Sequence, residues 1–446
     1  MENKHKIFCK YQFTKFRIKY VLIILGWLII WEILSRAVDN SILLVGPVQV
    51  LANLTEKWQS ADFWMSILMS FEKIGFGFLA GAIFGIILAV LSYKIALAEE
   101  ILRFPVAFFK AAPVASFVVL FLIWYGSRFL AASICICVVF PQFYVSVLQG
   151  LRGTDKKLLE MAEVFKIHSI DKYHYIYRPG LVPYIKGAIK ISTGMAWKSG
   201  VAAEVIGVPE YSIGERLYMS KVHLDTTGVL AWTLTIIVIS MVTEKLLLWL
   251  YEVYVKYPFG CIGAKLYGIQ ETDTAIRLNN IYKSFEAIPV LENYSGTFKQ
   301  GEEYLLDWKS GLGKTTLLRL IAGIEKAEAG NISVNGKISM VFQENRLCED
   351  YSAISNLELI SGNKKTAKNI LLKVLDKKDI YKPVRELSGG QKRRVAIARA
   401  CLADGNILLA DEPYNGLDEE NRQRVYNLMK ERVADGILII ASHTTV

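Results

Sequence analysis

Long apolar runs broken by short charged stretches fill the first 256 residues, and after about residue 275 the pattern changes to short alternating segments. Crossing a hydrocarbon core of about 30 Å takes about 20 helical residues. The runs read as spans are "YVLIILGWLIIWEIL" from Tyr20, "IGFGFLAGAIFGIILAVL" from Ile74, "FPVAFFKAAPVASFVVLFLIWYG" from Phe104 and "FLAASICICVVFPQFYVSVL" from Phe129. A fifth, "YIKGAIKISTGMAWKSGVAAEVIGV" from Tyr184, is weaker because it carries Lys186, Lys190, Lys198 and Glu204; the sixth is "VLAWTLTIIVISMVTEKLLLWLYEVYV" from Val229. The first run has the charged flank of a signal peptide but no small-residue cleavage site after it, so it reads as an anchor. Small residues in "GFGFLAGAIFG" suit close helix packing in lipid.

Charge inside a membrane is expensive. Lys198 and Glu204 either line a path or pair with each other, or lie near the outer end of the span and snorkel to water; we read them as snorkelling. Between the fourth and fifth runs, Thr154 to Pro183 is polar, with Leu158, Leu159, Ala162, Phe165 and Ile167 at near-helical spacing. That pattern gives an amphipathic element able to dock on a soluble partner. From Ala275, "AIRLNNIYKSF" and "GEEYLLDW" read as strands, and the second runs into a glycine-bearing turn and the helical "TTLLRLIAG". Strand, loop and helix in that order are what a phosphate cradle needs. Amides from Gly311 to Thr315 would face a β-phosphate at the positive end of the helix, with Lys314 as cation and Thr315 as a hydroxyl ligand for Mg²⁺.

Composition agrees with a membrane portion joined to a soluble one: 446 residues, 53% hydrophobic, mean hydropathy +0.31. The net charge of +10 could mean nucleic acid. Its distribution argues otherwise: Lys4, Lys6, Lys10, Lys15, Arg17 and Lys19 precede the first run, while Arg152, Lys156, Lys157, Lys166 and Lys172 follow the fourth. Both groups belong on the cytoplasmic side. Six spans starting inside end inside, so both termini are expected in the cytoplasm of a multi-pass protein of the cytoplasmic membrane. The six cysteines are scattered and form neither a disulfide framework nor a zinc pattern.

The segment around Glu160, Met161 and Ala162, closed by "RPGLVP", resembles the EAA loop of binding-protein-dependent ABC importer permeases, whose short helix couples permease to ATPase. Lys166 stands where that family has glycine. "LLVGPVQVL", "IWYGS" and "GMAWKSGVAAEVIGVPEYSIGERL" extend the likeness to the nitrate, taurine and sulfonate permease branch, over nearly the whole membrane portion.

"RELSGGQKRRVAIARA" from Arg385 and "ILLADEP" from Ile407, with the cradle upstream, resemble an ABC ATPase. That resemblance implies an α/β P-loop NTPase at 275–446, joined by a linker at 258–274 to an α-helical six-span permease at 1–257 whose coupling loop lies at about 154–183. It implies that Phe285 stacks on adenine; that Ser310, Gly311, Gly313, Lys314, Thr315 and Thr316 hold ATP; and that Thr315, Gln343 and Asp411 serve Mg²⁺. Glu412 would polarise the attacking water, with Gln343 and His443 as sensors of the metal and the γ-phosphate. Asp418 would be the D-loop aspartate at the ATP site, and Ser388, Gly389, Gly390 and Gln391 would act on the nucleotide of a second copy, so a homodimer is expected.

One departure concerns Trp308, which replaces the first glycine of the loop. Either it slows turnover, or the turn never needed positive φ there; we take the second, because every chemical group is retained. Fusion of permease and ATPase is more familiar among exporters. Only about 30 residues separate Asn356 from "LSGG", implying a compact helical subdomain, and the ATPase reads as truncated at its C-terminus. The function implied is ATP-driven import of a small anion or vitamin precursor delivered by an extracytoplasmic binding protein. A fused half-exporter and an ATPase-coupled membrane regulator are the alternatives.

Overall fold

The computed structural model describes residues 22–38, 40, 42–257, 260–263, 274–286, 288–309, 311–403, 405–433 and 435–442. It divides into two compact units. One holds the described residues up to Arg152 together with Val182–Lys256; the other joins Gly153–Leu181 to the described residues from Tyr257 onward. The loop between the fourth and fifth apolar runs therefore belongs to the ATPase unit.

The first unit is helical: α1 (22–38), α2 (Pro47–Trp58), α3 (Ala61–Lys94), α4 (Ala96–Ala111), α5 (Val114–Tyr125) and α6 (Leu130–Arg152). Helices α7 (Lys156–Val164) and α8 (Ser169–Lys172) lie in the second unit, and α9 (Arg178–Gly207) starts there and continues into the first. α10 (Ile213–Val222) and α11 (Thr226–Lys256) complete the first unit. Among the described residues α3, α6 and α11 are long and apolar enough to cross a membrane. The expected third span is not one helix. α4 and α5 meet at 101°, because Ala112 is pushed to extended backbone (ψ 138°) by Pro113, which in turn has no N–H to continue the ladder.

α3 packs on α6 backbone to backbone. A Cβ on Gly77 would sit 2.5 Å from the Ala132 carbonyl oxygen, and one on Gly85 2.5 Å from that of Phe140, which is the close approach expected of the small residues. Glu204 departs from expectation. It does not snorkel: it is fully buried, accepting from Ser70 Oγ at 2.7 Å and from the Gly214 amide at 3.2 Å, because α10 folds back over the end of α9. Lys198 is exposed, within α9, which ends at Gly207.

In the second unit an antiparallel sheet, order β2-β1-β4, comprises β1 (Ala275–Phe285), β2 (Ile288–Lys299) and β4 (Ala329–Asn335). A parallel sheet, order β3-β7-β6-β5, comprises β3 (Glu303–Leu306), β5 (Ile338–Val341), β6 (Ile407–Asp411) and β7 (Ile437–Ala441). β6 and β7 are buried at every position, which is why they read as continuous apolar runs. Around them pack α12 (Lys314–Ile321), α13 (Ala353–Ser361), α14 (Lys364–Leu371), α15 (Gly389–Leu402) and α16 (Glu419–Arg432). Between β5 and α15 the named elements are α13, α14 and a short turn at Val384–Glu386. Register lines up Leu306 and Asp411 with Ala441, and Val341 with Ala410. Four loops thus leave one edge of the sheet, at the carboxyl ends of its strands, where open α/β sheets hold their ligands.

Candidate nucleotide site

The loop after β3 turns on two glycines with left-handed backbone, Gly311 (φ 85°) and Gly313 (φ 84°). Gly313 caps α12, and a Cβ there would lie 2.8 Å from Val290 Cγ1, so only glycine fits. Lys314 is buried and donates from Nζ to the Trp308 carbonyl at 2.7 Å, which ties the amine to the loop it follows. Thr315 opens the helix beside Asp411, its Oγ1 donating to Oδ1 at 3.2 Å. Thr316 is half-buried one position on.

Asp411 ends β6 and is 2% exposed. Burial pushes its carboxyl above the usual carboxylate range, against the pull of the Thr315 hydroxyl bond. Its Oδ2 is buried without a hydrogen-bond partner. An orphaned carboxylate oxygen beside a hydroxyl is the hard-oxygen donor set that suits Mg²⁺. Among the described residues no cluster of three or more His, Cys, Asp or Glu offers an all-protein metal site. A cation here would therefore need oxygens from phosphate and water as well. Glu412 follows with φ 46°, a left-handed conformation costly for a residue with a Cβ, fixed by its amide donating to the Ala441 carbonyl at 2.8 Å.

Gln343 sits at the exit of β5 with its side chain exposed. Phe285 ends β1 at 44% exposure with Lys283 Nζ 4.9 Å from its ring centre, an open aromatic face carrying a cation. Ser388 caps α15 in a reciprocal box with Gln391: Ser388 Oγ accepts from the Gln391 amide at 3.3 Å, and Gln391 Oε1 accepts from the Ser388 amide at 2.9 Å. Gly389 has no atom within 4 Å of where a Cβ would stand, whereas Gly390 lies against the Gly416 carbonyl. Asp418 caps α16, accepting from the Asn421 amide at 2.9 Å. Ser310 and His443 lie outside the described residues.

Sequence reasoning missed two arginines on α15. Arg393 donates to the carbonyls of Phe342, Gln343, Asp411, Glu412 and Pro413, so one buried guanidinium holds the ends of β5 and β6 together. Arg399, 1% exposed, donates to the carbonyls of Asn345 and Arg346. For Arg393 the signal available was the run "KRR", which reads equally well as a solvated face; for Arg399 it was one arginine amid "VAIARA".

The segment expected to couple, within Gly153–Leu181, lies in the same unit. Met161 and Ala162 are fully buried in the apolar core of the ATPase unit. Glu160 accepts from Arg319 at 3.2 and 3.3 Å and from Arg346 at 2.7 Å; Arg319 lies on α12, the helix that carries Lys314 and Thr315. Lys157 pairs with Glu344 at 2.7 Å.

Trp308 and Lys166 both stand where glycine was expected, and they differ physically. Backbone at Trp308 lies outside the left-handed region, and the indole packs edge-on against Tyr294, 5.4 Å between ring centres. Lys166 has φ 51°. Trp308→Gly should therefore leave hydrolysis within about twofold, since no cradle group moves. Lys166→Gly should raise the melting temperature, by relief of about 1 kcal/mol of left-handed strain. A large gain in turnover on Trp308→Gly would show that the indole restrains the loop.

Residues 291–415 match the family model described as ABC transporter. The chain is 33% identical over 196 residues to the lipoprotein-releasing system ATP-binding protein LolD of Buchnera aphidicola, covering 38% of this chain and 86% of that protein. It is 39% identical over 162 residues to the aliphatic sulfonates import ATP-binding protein SsuB 1 of Shouchella clausii, covering 35% and 65%. It is 36% identical over 179 residues to the spermidine/putrescine import ATP-binding protein PotA of Legionella pneumophila, covering 36% of this chain and 49% of that protein, about half its length. A dimeric ATP-binding cassette structure bound to ADP and Pi aligns over 38% of this chain and 88% of its own at 27% identity, TM-score 0.36. With its two-glycine turn and the unpartnered Oδ2 of Asp411 on one sheet edge, and its capped "LSGGQ" helix, the chain belongs to the ABC transporter family, and its ATPase domain binds ATP and hydrolyses it to power transport.

Proposed function

We propose that the chain is a fused half-importer: a six-span permease that moves a small solute into the cell, driven by its own ATPase, working as a homodimer. The observation that carries this reading is Glu160, held by Arg319 of the phosphate-loop helix and by Arg346. A permease loop that reads as polar and amphipathic is folded into the ATPase unit and reaches the helix whose first residues face the nucleotide.

In this reading Gly311, Gly313, Lys314, Thr315 and Thr316, with Ser310, hold the phosphates, and Phe285 stacks on the base. Thr315, Gln343 and Asp411 hold Mg²⁺, which when bound neutralises charge on the β- and γ-phosphate oxygens. Glu412 orients the attacking water and His443 faces the γ-phosphate. Ser388, Gly389, Gly390 and Gln391 act on the partner's nucleotide with Asp418, because the helix start at Gly389 is open within one chain and a helix N-terminus favours anions. ATP bound between two copies closes them, a ligand-driven shift of an equilibrium between open and closed states. An extracytoplasmic binding protein would deliver the solute. The sulfonate importer subunit among the relatives supports a small organic anion, in line with the permease resemblance.

The test is ATP hydrolysis and uptake by the chain in proteoliposomes, with a candidate binding protein charged with taurine, an alkanesulfonate or nitrate. Stimulation of hydrolysis together with solute accumulation is expected. Turnover raised by lipophilic drugs without any binding protein would assign an exporter instead, and turnover without flux a membrane regulator.

A further inference from the structure

We propose that linker residues Cys261–Gly263 are a working part of the coupling apparatus, a clasp closed by Asp171 that ties the coupling segment to the end of α13. Asp171, on α8, is fully buried. Its carboxylate accepts from the Ile262 amide at 3.2 Å and from the Gly263 amide at 3.0 Å. Two consecutive amides aimed at one carboxylate are charge-assisted bonds, the stronger class of hydrogen bond. A plain tether would leave those amides to water.

The other side of the same short stretch lies on α13. That helix ends at Gly362, left-handed at φ 64°, whose amide donates to the Glu358 carbonyl at 2.7 Å. Cys261 Sγ donates to that same carbonyl at 3.4 Å. Gly263 (φ 83°) comes so near that a Cβ on it would lie 2.5 Å from the Gly362 amide nitrogen, and a Cβ on Gly362 would lie 2.7 Å from the Ile262 carbonyl oxygen. Linker and helix end therefore touch through main chain, which two glycines make possible.

The start of α13 is gripped as well. Tyr351, two residues before the helix, donates to the His174 carbonyl at 2.6 Å, accepts from Arg178 at 3.1 Å and packs at a tilt of 41° against Tyr175, with 4.6 Å between ring centres. The coupling segment thus holds α13 at both ends: directly through Tyr351, and through the clasp at Gly362. A movement of α13 would reach the segment at two points, so the segment is turned with the helix where a single contact would let it pivot. The linker supplies the second point, which gives covalent fusion a mechanical use beyond keeping the domains together.

Cys261 reports on the clasp. Burial first, and then the Asp171 charge, push its thiol up to about 12, so little reactive thiolate exists while the clasp is closed. In the full-length chain, maleimide labelling of Cys261 followed by peptide-resolved mass spectrometry should be at least about tenfold faster in Asp171→Ala than in the unmodified protein. Deuterium exchange at the Ile262 and Gly263 amides should rise with it. Gly362→Ala should give the same two changes by steric displacement with Asp171 intact, and Asp171→Asn an intermediate effect, since one acceptor oxygen remains.

The functional consequence rests on the importer reading. Stimulation of hydrolysis by the charged binding protein should drop about fivefold in Asp171→Ala while basal hydrolysis stays within about twofold. Unchanged labelling and exchange in both variants would overturn the clasp, as would faster labelling with stimulation intact, because the linker would then be only a tether. Absence of stimulation in the unmodified chain would instead count against import, and the labelling and exchange results would still decide whether the clasp exists.

Discussion

Glu412→Gln should lower ATP hydrolysis by about 10²–10⁴-fold, the range for loss of a positioned general base, while ATP binding is retained. The argument is geometric. Glu412 follows the buried Asp411 at the carboxyl edge of the sheet and is twisted to φ 46°. That conformation is not idle strain, because two neighbours enforce it: the Ala441 carbonyl takes its amide, and Arg393 donates both to its carbonyl at 2.8 Å and to that of the preceding Asp411 at 2.7 Å. Such over-determination of a disfavoured backbone is typical of positions that aim a side chain at a reaction. The amide of glutamine keeps size and one acceptor oxygen but cannot take a proton from water at neutral pH. Phosphate release measured beside nucleotide binding separates the two effects. Loss of binding in parallel would place Glu412 in the nucleotide pocket and away from the water.

The strand, turn and helix of the candidate nucleotide site were legible because phosphate chemistry is local. A strand, two glycines, Lys314 and Thr315 must be neighbours in sequence to be neighbours in space, and the pattern carries them intact onto β3 and α12. The distinction between Trp308 and Lys166 was only half legible. Both replace a glycine, but which position needs left-handed backbone depends on φ, and φ at a turn is set by what the chain meets on leaving it. Arg393 and Arg399 were hidden for the opposite reason. A long cationic side chain inside a helix is ordinarily solvated, and only the convergence of five carbonyls from distant segments makes burial of Arg393 favourable. Glu204 misled in the same way: nothing in the span announces that Ser70, 134 residues away, will supply its hydroxyl. The bend between α4 and α5 could have been read from Ala112–Pro113, since the residue before proline resists helix, but a long apolar run outweighed the local signal.

Glu160→Ala should uncouple the two activities: solute-stimulated hydrolysis and uptake should fall by about tenfold or more, while basal hydrolysis changes by about twofold at most. Glu160 lies 29% exposed between Arg319, 22% exposed, and Arg346, 5% exposed. Removing the carboxylate leaves the more buried guanidinium of Arg346 with the longer ion pair to Glu344 at 3.6 Å and the face of the Phe342 ring, whose centre lies 4.1 Å away, so the loss exceeds that of an exposed ion pair. A drop of about 1 kcal/mol corresponds to about 2–4 °C in melting temperature for a domain of this size. Burial alone would raise the Glu160 carboxyl, but hydrogen bonds from Arg319 and Arg346 outweigh it and hold the group below the usual carboxylate range. Because the folded pKa is depressed, this stabilisation is complete above the unfolded value of about 4.3 and is lost as pH falls through the folded one. Wild type and Glu160→Ala should therefore differ in melting temperature by a constant amount from pH 6 to pH 8 and converge only in acid below about pH 4. Glu160→Gln separates charge from shape: it retains an acceptor for Arg346 and should recover part of the melting temperature. If it also recovers full stimulation, the hydrogen bond transmits the stroke and the charge does not; if stimulation stays at the alanine level, the charge pairing with the phosphate-loop helix is what moves the permease loop.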